Sequence, residues 1–454
     1  MWAMVAILVA AVFRYGETLS FWIVVGGAAI LSLSWGRPRV GLVIWLLSLT
    51  MIPIWFNVHF FTTIPVHCIV AVMVAATAMG HRRFEFNVFD AYLALFLIVA
   101  LVAVSYNNSY TPMWSEMVVR WATPYFAIRV LAPAAGMRFS TEAFGVILAL
   151  VGGLAIAEFA LVWHPFASLN VNWNSLSAEY ATWSPIQNRG GLDRSEWAFG
   201  HSIALGGTLA LAIPFIARSA LRGGWKVLLL IAVGGGIMTT ASRSAMLAAA
   251  ITAFMCVAYS ANRRAVRTVA VLVLVATLIA APFVAPTLQD WAVGSSVEAQ
   301  TSASYRNDLY TAYAPLIEWF GRSARYFASR GALTDSVDSA VLHIGLNFGW
   351  VVLAIALLPL FACVVRVAAG RATTAEIALV GQIPLLTTVA LITQYQSFVF
   401  IVVGFAVQSA VDSRPQAASN RRFAGARLGA GSAALTSTAA KVGRAGKRLN
   451  VIRT

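Results

Sequence analysis

Charge is what this chain has least of. Only 11% of its 454 residues are Asp, Glu, Lys or Arg, too few to cover the surface of a water-soluble protein of this length. That scarcity excludes a soluble globular enzyme, and a hydrophobic content of 60% with a mean hydropathy of +0.78 points to a membrane protein instead. Acid is scarcer than base, 17 residues against 32, and none follows Asp412. Cysteine is nearly missing: Cys68, Cys256 and Cys363 fall inside apolar runs and share no metal-ligand spacing, so they read as small core hydrophobes. The opening stretch MWAMVAILVAAVF lacks a basic segment and a small-residue cleavage site, so it is expected to be a retained first helix and not a signal peptide. There is no internal repeat, no heptad pattern and no ATP-binding loop.

What is present is a series of apolar runs of roughly 17–22 residues, the length that crosses a hydrocarbon core of about 30 Å. Spans are expected near 2–13, 19–35, 40–56, 64–80, 90–105, 114–132, 143–163, 198–217, 225–240, 244–260, 268–287, 341–365, 376–392 and 397–411. The spacing therefore predicts an all-α, polytopic membrane protein of about 12–14 transmembrane helices. The transmembrane domain covers 1–412, and a basic cytoplasmic tail covers 413–454.

The net charge of +15 invites a nucleic-acid reading, but its distribution argues against one. Arg37 and Arg39, His81 to Arg83, Arg138, Arg218 to Lys226, Arg263 to Arg267, and Arg366 with Arg371 all lie in connections that alternate onto one side of the membrane. That side is the cytoplasm by the positive-inside bias, in an inner or plasma membrane. The tail adds nine more positive charges and is either disordered or a basic helix on anionic lipid.

Two long loops, about 164–197 and 288–340, fall on the opposite, periplasmic or extracytoplasmic, face. Segments of that length are usually functional or disordered. These hold aromatic residues, among them Trp173, Tyr180, Trp183 and Trp197 in the first and Tyr305, Tyr310, Tyr313 and Trp319 in the second. Such rings are either interfacial anchors or platforms for sugar or prenyl groups.

Arginines stand on that face against the positive-inside rule. Arg189 and Arg194 lie in the first loop, Arg243 in the turn Thr239 to Ser244, and Arg306 in the second loop. They either pair with Asp193, Glu196 and Asp308 or hold an anionic substrate, because guanidinium matches phosphate bidentately. Arg194 is evenly divided between the two readings, and the other three favour a ligand. Asp338, before the late span, either caps that helix or acts as a general base. His343, one turn inside, is either a packing residue or a second base. The pair Asp335 and Asp338 is weak support for a metal, and none is expected. His201 is expected to pair with Glu196.

At these residues the chain resembles the O-antigen ligase and O-antigen polymerase family. Ser242-Arg243-Ser244-Ala245 is similar to the family's Ser-Arg-(Gly/Ser) element. Arg306 with Leu309, Tyr313, Pro315 and Leu316 resembles its arginine before a loop helix. Asp338-Ser339 to Leu342 with Gly349 resembles its (His/Asp)-Asn-x-Tyr-Leu…Gly element, and Arg189-Gly-Gly191 its arginine and glycine before a mid-chain helix. The resemblance spans roughly 185–360. Asp338 stands where ligases of the family carry His, Ser339 where Asn is usual, and Asn347 where many members have Glu, shifts that favour a polymerase over a ligase.

The resemblance implies a GT-C-like membrane glycosyltransferase, without cofactor, acting on a polyprenyl-diphosphate-linked oligosaccharide donor and an acceptor. Its further partners would be membrane lipid and other polysaccharide-assembly proteins. Arg189, Arg194, Arg243 and Arg306 would bind the diphosphate or glycan, and Asp338 or His343 would serve as base. The rival class is a transporter or flippase of a lipid-linked glycan. Against it, ionisable residues inside spans are few, Glu158 and Arg120 chief among them, and no repeat of two halves is visible.

Overall fold

The computed structural model describes residues 17–59, 62–80, 84–106, 112–169, 176–189, 192–260, 308–329, 337 and 339–412. Among these the chain is almost wholly helical. In chain order the helices are α1 (Glu17–Ser34), α2 (Pro38–Met51), α3 (Val66–Ala78), α4 (Val88–Tyr106), α5 (Pro112–Met117), α6 (Thr123–Ala135) and α7 (Met137–Leu161). There follow α8 (Leu176–Trp183), α9 (Ser202–Ala217), α10 (Gly223–Thr239), α11 (Arg243–Ser260), α12 (Ala324–Ser329), α13 (Ala340–Phe348), α14 (Trp350–Ala368), α15 (Thr374–Gly381), α16 (Ile383–Thr388) and α17 (Thr393–Asp412). The strands are confined to two antiparallel hairpins, β1 (Asn57–His59) with β2 (Thr63–Pro65), and β3 (Asn188–Arg189) with β4 (Leu192–Asp193). The chain divides into two units, Met1–Val407 and Gln408–Thr454. Of the second, 408–412 is described, and there Gln408 donates to Asp412 at 2.9 Å.

The protein is all-α and multi-pass. Four helices, α4, α7, α14 and α17, are long and apolar enough to cross a membrane, and six shorter apolar helices lie among them. The expected spans at 2–13 and 268–287 lie outside the described residues. Three other expected spans are helical but broken. At 114–132 the helix passes from α5 to α6 through a π-turn, Val118–Ala122. At 341–365 it breaks at Gly349, whose φ of +89° suits glycine; a Cβ there would sit 2.8 Å from the Cα of Phe320. At 376–392 it is two short helices, α15 and α16, and not one crossing. Such breaks survive at membrane depth only where protein surrounds them.

The centre is α9, of which all but two of sixteen residues are buried. A helix apolar on every side belongs inside a bundle. α7, α10, α11 and α15 pack around it. Between helices in lipid the attraction is packing and not water exclusion, so small residues matter where backbones meet. Gly206 of α9 shows this: a Cβ on it would fall 2.7 Å from Ala245 at the start of α11. Phe144 meets Phe215, Phe398 and Phe405 edge to face in the core, with centroids 4.9–6.0 Å apart.

One end of the bundle gathers the described basic connections, those at Arg39, Arg138, Arg218 to Lys226 and Arg366. Arg39 donates to the carbonyl of Ala135, Glu142 accepts from Ala220 N, and Tyr259 donates to the carbonyl of Val367. Near it a fully buried ion pair joins α6 to α4. Arg129 forks onto both oxygens of Asp90 at 3.1 and 2.9 Å, and Tyr125 donates to the same carboxylate. Removing one partner of such a pair is costly because the other charge stays buried. The opposite end gathers the β1–β2 hairpin, the residues just before α9, the α10–α11 turn and the start of α17. Gln394 joins the start of α17 to two of these parts by donating to the carbonyls of Ile52, which leads into the hairpin, and Ala198, before α9.

Candidate functional site

At that opposite end, the segment before α9 is folded onto the α10–α11 turn. The fold begins with Glu158 in the last turn of α7, whose Oε1 meets His164 Nδ1 and whose Oε2 accepts the backbone N–H of Trp197, both at 2.9 Å. Those bonds hold Trp197 at a positive φ of 48°, a strained value for a bulky residue. Phe166 packs at a right angle to the Trp197 ring at 4.9 Å. Gly200, also at positive φ, turns the chain into α9, where His201 Nδ1 accepts the N–H of Ile203. His201 therefore caps α9 and does not pair with Glu196, as its sequence position had suggested. A cap needs a side chain near its own next turn, and that contact wins over a residue five positions away.

Arg194 is buried and fastens the segment to the α10–α11 turn. Its Nε donates to the carbonyl of Thr240 at 2.7 Å, and its Nη1 donates to Gln187 Oε1 at 3.2 Å. Ser195 adds a backbone bond to the carbonyl of Thr239 and a hydroxyl bond to that of Ala155. Among the described residues no ion pair joins Arg194 to Asp193 or Glu196; Asp193 accepts from Asn188 instead. Gln187, which also accepts from Ser202, carries no sequence signature, and a main-chain carbonyl cannot be read from a residue name.

Glu196 takes one bond, from Gln187 N to its Oε1, while its Oε2 is buried with no partner among the described residues. Burial, reinforced by the nearby Glu158, outweighs the Arg194 charge and pushes the Glu196 carboxyl up to about 7 from its ordinary 4.5. The unfolded chain releases this proton at the lower value, so the residue's contribution to stability is full below about pH 4.5 and lost as pH rises to about 7. Thermal unfolding in detergent should show that decline, and Glu196→Gln should flatten it. An unchanged slope in Glu196→Gln would remove Glu196 as its source.

Arg243 is the first residue of α11, half-buried, and the turn before it is sharply made. Ala241 has a φ of +47°, and Ser242 Oγ accepts the N–H of Ala245 as a helix cap. Arg243 therefore opens a helix N-terminus, itself a centre of partial positive charge, three residues after the carbonyl that Arg194 grips. Arg189 lies in the β3–β4 hairpin, opposite Leu192, and that hairpin is closed by the bond from Arg194 N to the carbonyl of Gln187; its side chain is outside the described residues.

Arg306 and Asp338 lie outside the described residues as well, but the segments next to them meet. Tyr310 donates to the carbonyl of Thr387 at 2.7 Å and is 2.8 Å from Ser339 Oγ, which in turn caps α13 by accepting the N–H of Leu342. Helix α16, which carries Thr387, packs against both α11 and α13. His343 is half-buried in α13, with Nε2 3.2 Å from the sulfur of Met113. So the structure joins Arg194 to the Arg243 turn and places His343 on a helix linked to it through α16. No group of three or more His, Cys, Asp or Glu suited to a metal ion occurs among the described residues.

No curated protein and no solved structure matches the chain. Residues 227–357 match the family model described as O-antigen ligase. The matched stretch runs from α10 into α14 and contains Arg243, Arg306, Asp338 and His343. The match covers less than a third of the chain, and over that stretch the chain is similar to the O-antigen ligase family, a likeness that supports a glycosyl-transferring membrane protein of polysaccharide biosynthesis.

Proposed function

We propose that the chain transfers a glycan from a polyprenyl diphosphate to an acceptor hydroxyl, on the membrane face opposite the basic connections. The observation that carries this reading is the Arg243 turn, where an arginine is the first residue of a capped helix and the buried Arg194 holds the backbone just before it. A diphosphate leaving group gains negative charge as its bond to sugar breaks, and fixed donors that meet that charge lower the barrier. Arg243, Arg189 and Arg306 supply the cations. Arg194, whose Nε and Nη1 bond protein oxygens, is a positioning residue.

The acceptor oxygen forms a bond to the anomeric carbon, the carbon–oxygen bond to phosphate breaks, and the lipid diphosphate departs with the electron pair. The hydroxyl proton goes to Asp338. His343, set against a thioether, is the second choice. Either a second lipid-linked glycan or another acceptor would satisfy this chemistry, which would be a polymerase in the first case and a ligase in the second. Glu158 and Arg120, the main ionisable residues inside the expected spans, are each engaged with a neighbour: Glu158 in the last turn of α7 with His164, Arg120 in the π-turn with Glu116.

The face is tested by labelling single cysteines from outside the cell in a variant lacking the three native ones. A cysteine at Ser175 should react and one at Ser432 should not. The reverse pattern would place the arginines in the cytoplasm, where no lipid-linked glycan is displayed for this reaction, and would contradict the proposal.

A further inference from the structure

A second polar cluster lies at the same end of the bundle, on the far side of α17. Gln394 and Gln396 are two residues apart and so point to different sides of their helix. Gln394 reaches Ala198, four residues from Arg194, while Gln396 reaches α5 and the π-turn. There Glu116 Oε1 accepts from Arg120 Nη1 at 3.0 Å and from Gln396 Nε2 at 2.8 Å. Trp121 Nε1 donates to Gln396 Oε1 at 2.7 Å, and its ring stacks on Phe400 at 4.8 Å.

The π-turn is the unusual part. Widening a helix by one residue weakens its ladder and is found mostly where a site needs it. Here Ser397 donates to the carbonyl of Arg120 in the widened turn. The side chains are thus held rigidly, yet not all of their capacity is used. Glu116 keeps a third of its side-chain surface open, and its Oε2 has no hydrogen bond among the described residues. Arg120 Nε is buried without a partner among them. A carboxylate with one oxygen pinned by the buried Gln396 amide and the other without a bond among the described residues, beside an arginine, matches the donor and acceptor pair of adjacent sugar hydroxyls. The carboxylate disfavours a diphosphate, so this side of α17 suits a neutral polyol and the Arg243 side suits the anion. Met113, one turn before Glu116, touches His343, which puts the cluster beside the helix that begins at Ser339.

We propose that Glu116, Arg120 and Gln396 form a sugar-binding site that holds the acceptor glycan of the transfer reaction. This rests on the transfer reading, but two probes separate their fates. Full-length protein in detergent is titrated with inorganic diphosphate and with free oligosaccharide released from the cell's own surface polysaccharide. Glu116→Gln keeps the acceptor oxygen for Arg120 and Gln396 but loses the charge; it should weaken oligosaccharide binding about tenfold or more and leave diphosphate binding unchanged. Arg243→Lys should do the opposite. Arg120→Lys serves as a second variant, with the thermal midpoint measured for each. Oligosaccharide binding that stays normal in folded Glu116→Gln and Arg120→Lys would overturn the inference and reduce the cluster to a strut for the π-turn. Unchanged diphosphate binding in Arg243→Lys would count against the transfer reading alone.

Discussion

Asp338→Asn should lower glycan transfer by roughly 10²–10⁴-fold while lipid-linked donor still binds. The substitution keeps size and hydrogen-bonding capacity but removes the group that takes the acceptor's proton. Asp338 precedes Ser339, and it is Ser339 whose hydroxyl caps α13 by accepting the N–H of Leu342. With the cap supplied by its neighbour, Asp338 is not needed for that task, so the variant should unfold at nearly the native temperature. Purified protein, assayed for donor binding and for product, gives both readings at once. Normal turnover would move the base to His343 or end the catalytic role.

Arg243→Lys should lower turnover by about 10²-fold or more, the scale seen when one preorganised donor to a developing anion is lost. It should also weaken donor binding, because the diphosphate is charged before as well as during the reaction. Lysine preserves charge but not the planar fork, so the size of the loss measures how far geometry matters. Arg306→Lys should behave alike. Arg194→Lys should differ: the Thr240 carbonyl loses its 2.7 Å donor, and the turn under Arg243 loosens. Its expected mark is a lower unfolding temperature together with reduced transfer. Wild-type donor affinity and turnover in Arg243→Lys would exclude the arginine from the site.

The all-α, multi-pass class was legible because a bilayer imposes a length and a sidedness on apolar runs. The basic connections Arg39, Arg138 and Arg366 read as sharing one side, and contacts such as Glu142 with Ala220 N, and Tyr259 with the Val367 carbonyl, bring those connections to one end of the bundle. Hydropathy carries no record of where helices break. Gly349 interrupts an apolar run because the backbone of Glu318 and Phe320 lies against it, a tertiary fact. The π-turn at Val118–Ala122 leaves no trace in composition either, though Glu116 and Arg120 four residues apart were visible as charges inside a span.

At the site, the arginines stood out because their positions opposed the charge rule. Their partners did not. Arg194 sits beside Asp193 and close to Glu196 in sequence, yet bonds to Gln187 and to a main-chain oxygen 46 residues away. Local acids looked like the natural counter-ions, but the fold spends Glu196 on Gln187 N and Asp193 on Asn188. The preference for a polymerase drawn from Asp338 and Ser339 meets a family description that names ligases, and only the acceptor decides between them.

The central claim is that this membrane protein breaks the bond between a glycan and a lipid diphosphate. It is tested by reconstituting the purified chain in liposomes with a radiolabelled polyprenyl-diphosphate glycan and unlabelled acceptor, then separating lipid from product. The account predicts label moving to the acceptor with release of one polyprenyl diphosphate per glycan joined, in wild type and not in Arg243→Lys or Asp338→Asn. Label that stays on the lipid and merely changes leaflet would contradict it, and would identify a flippase.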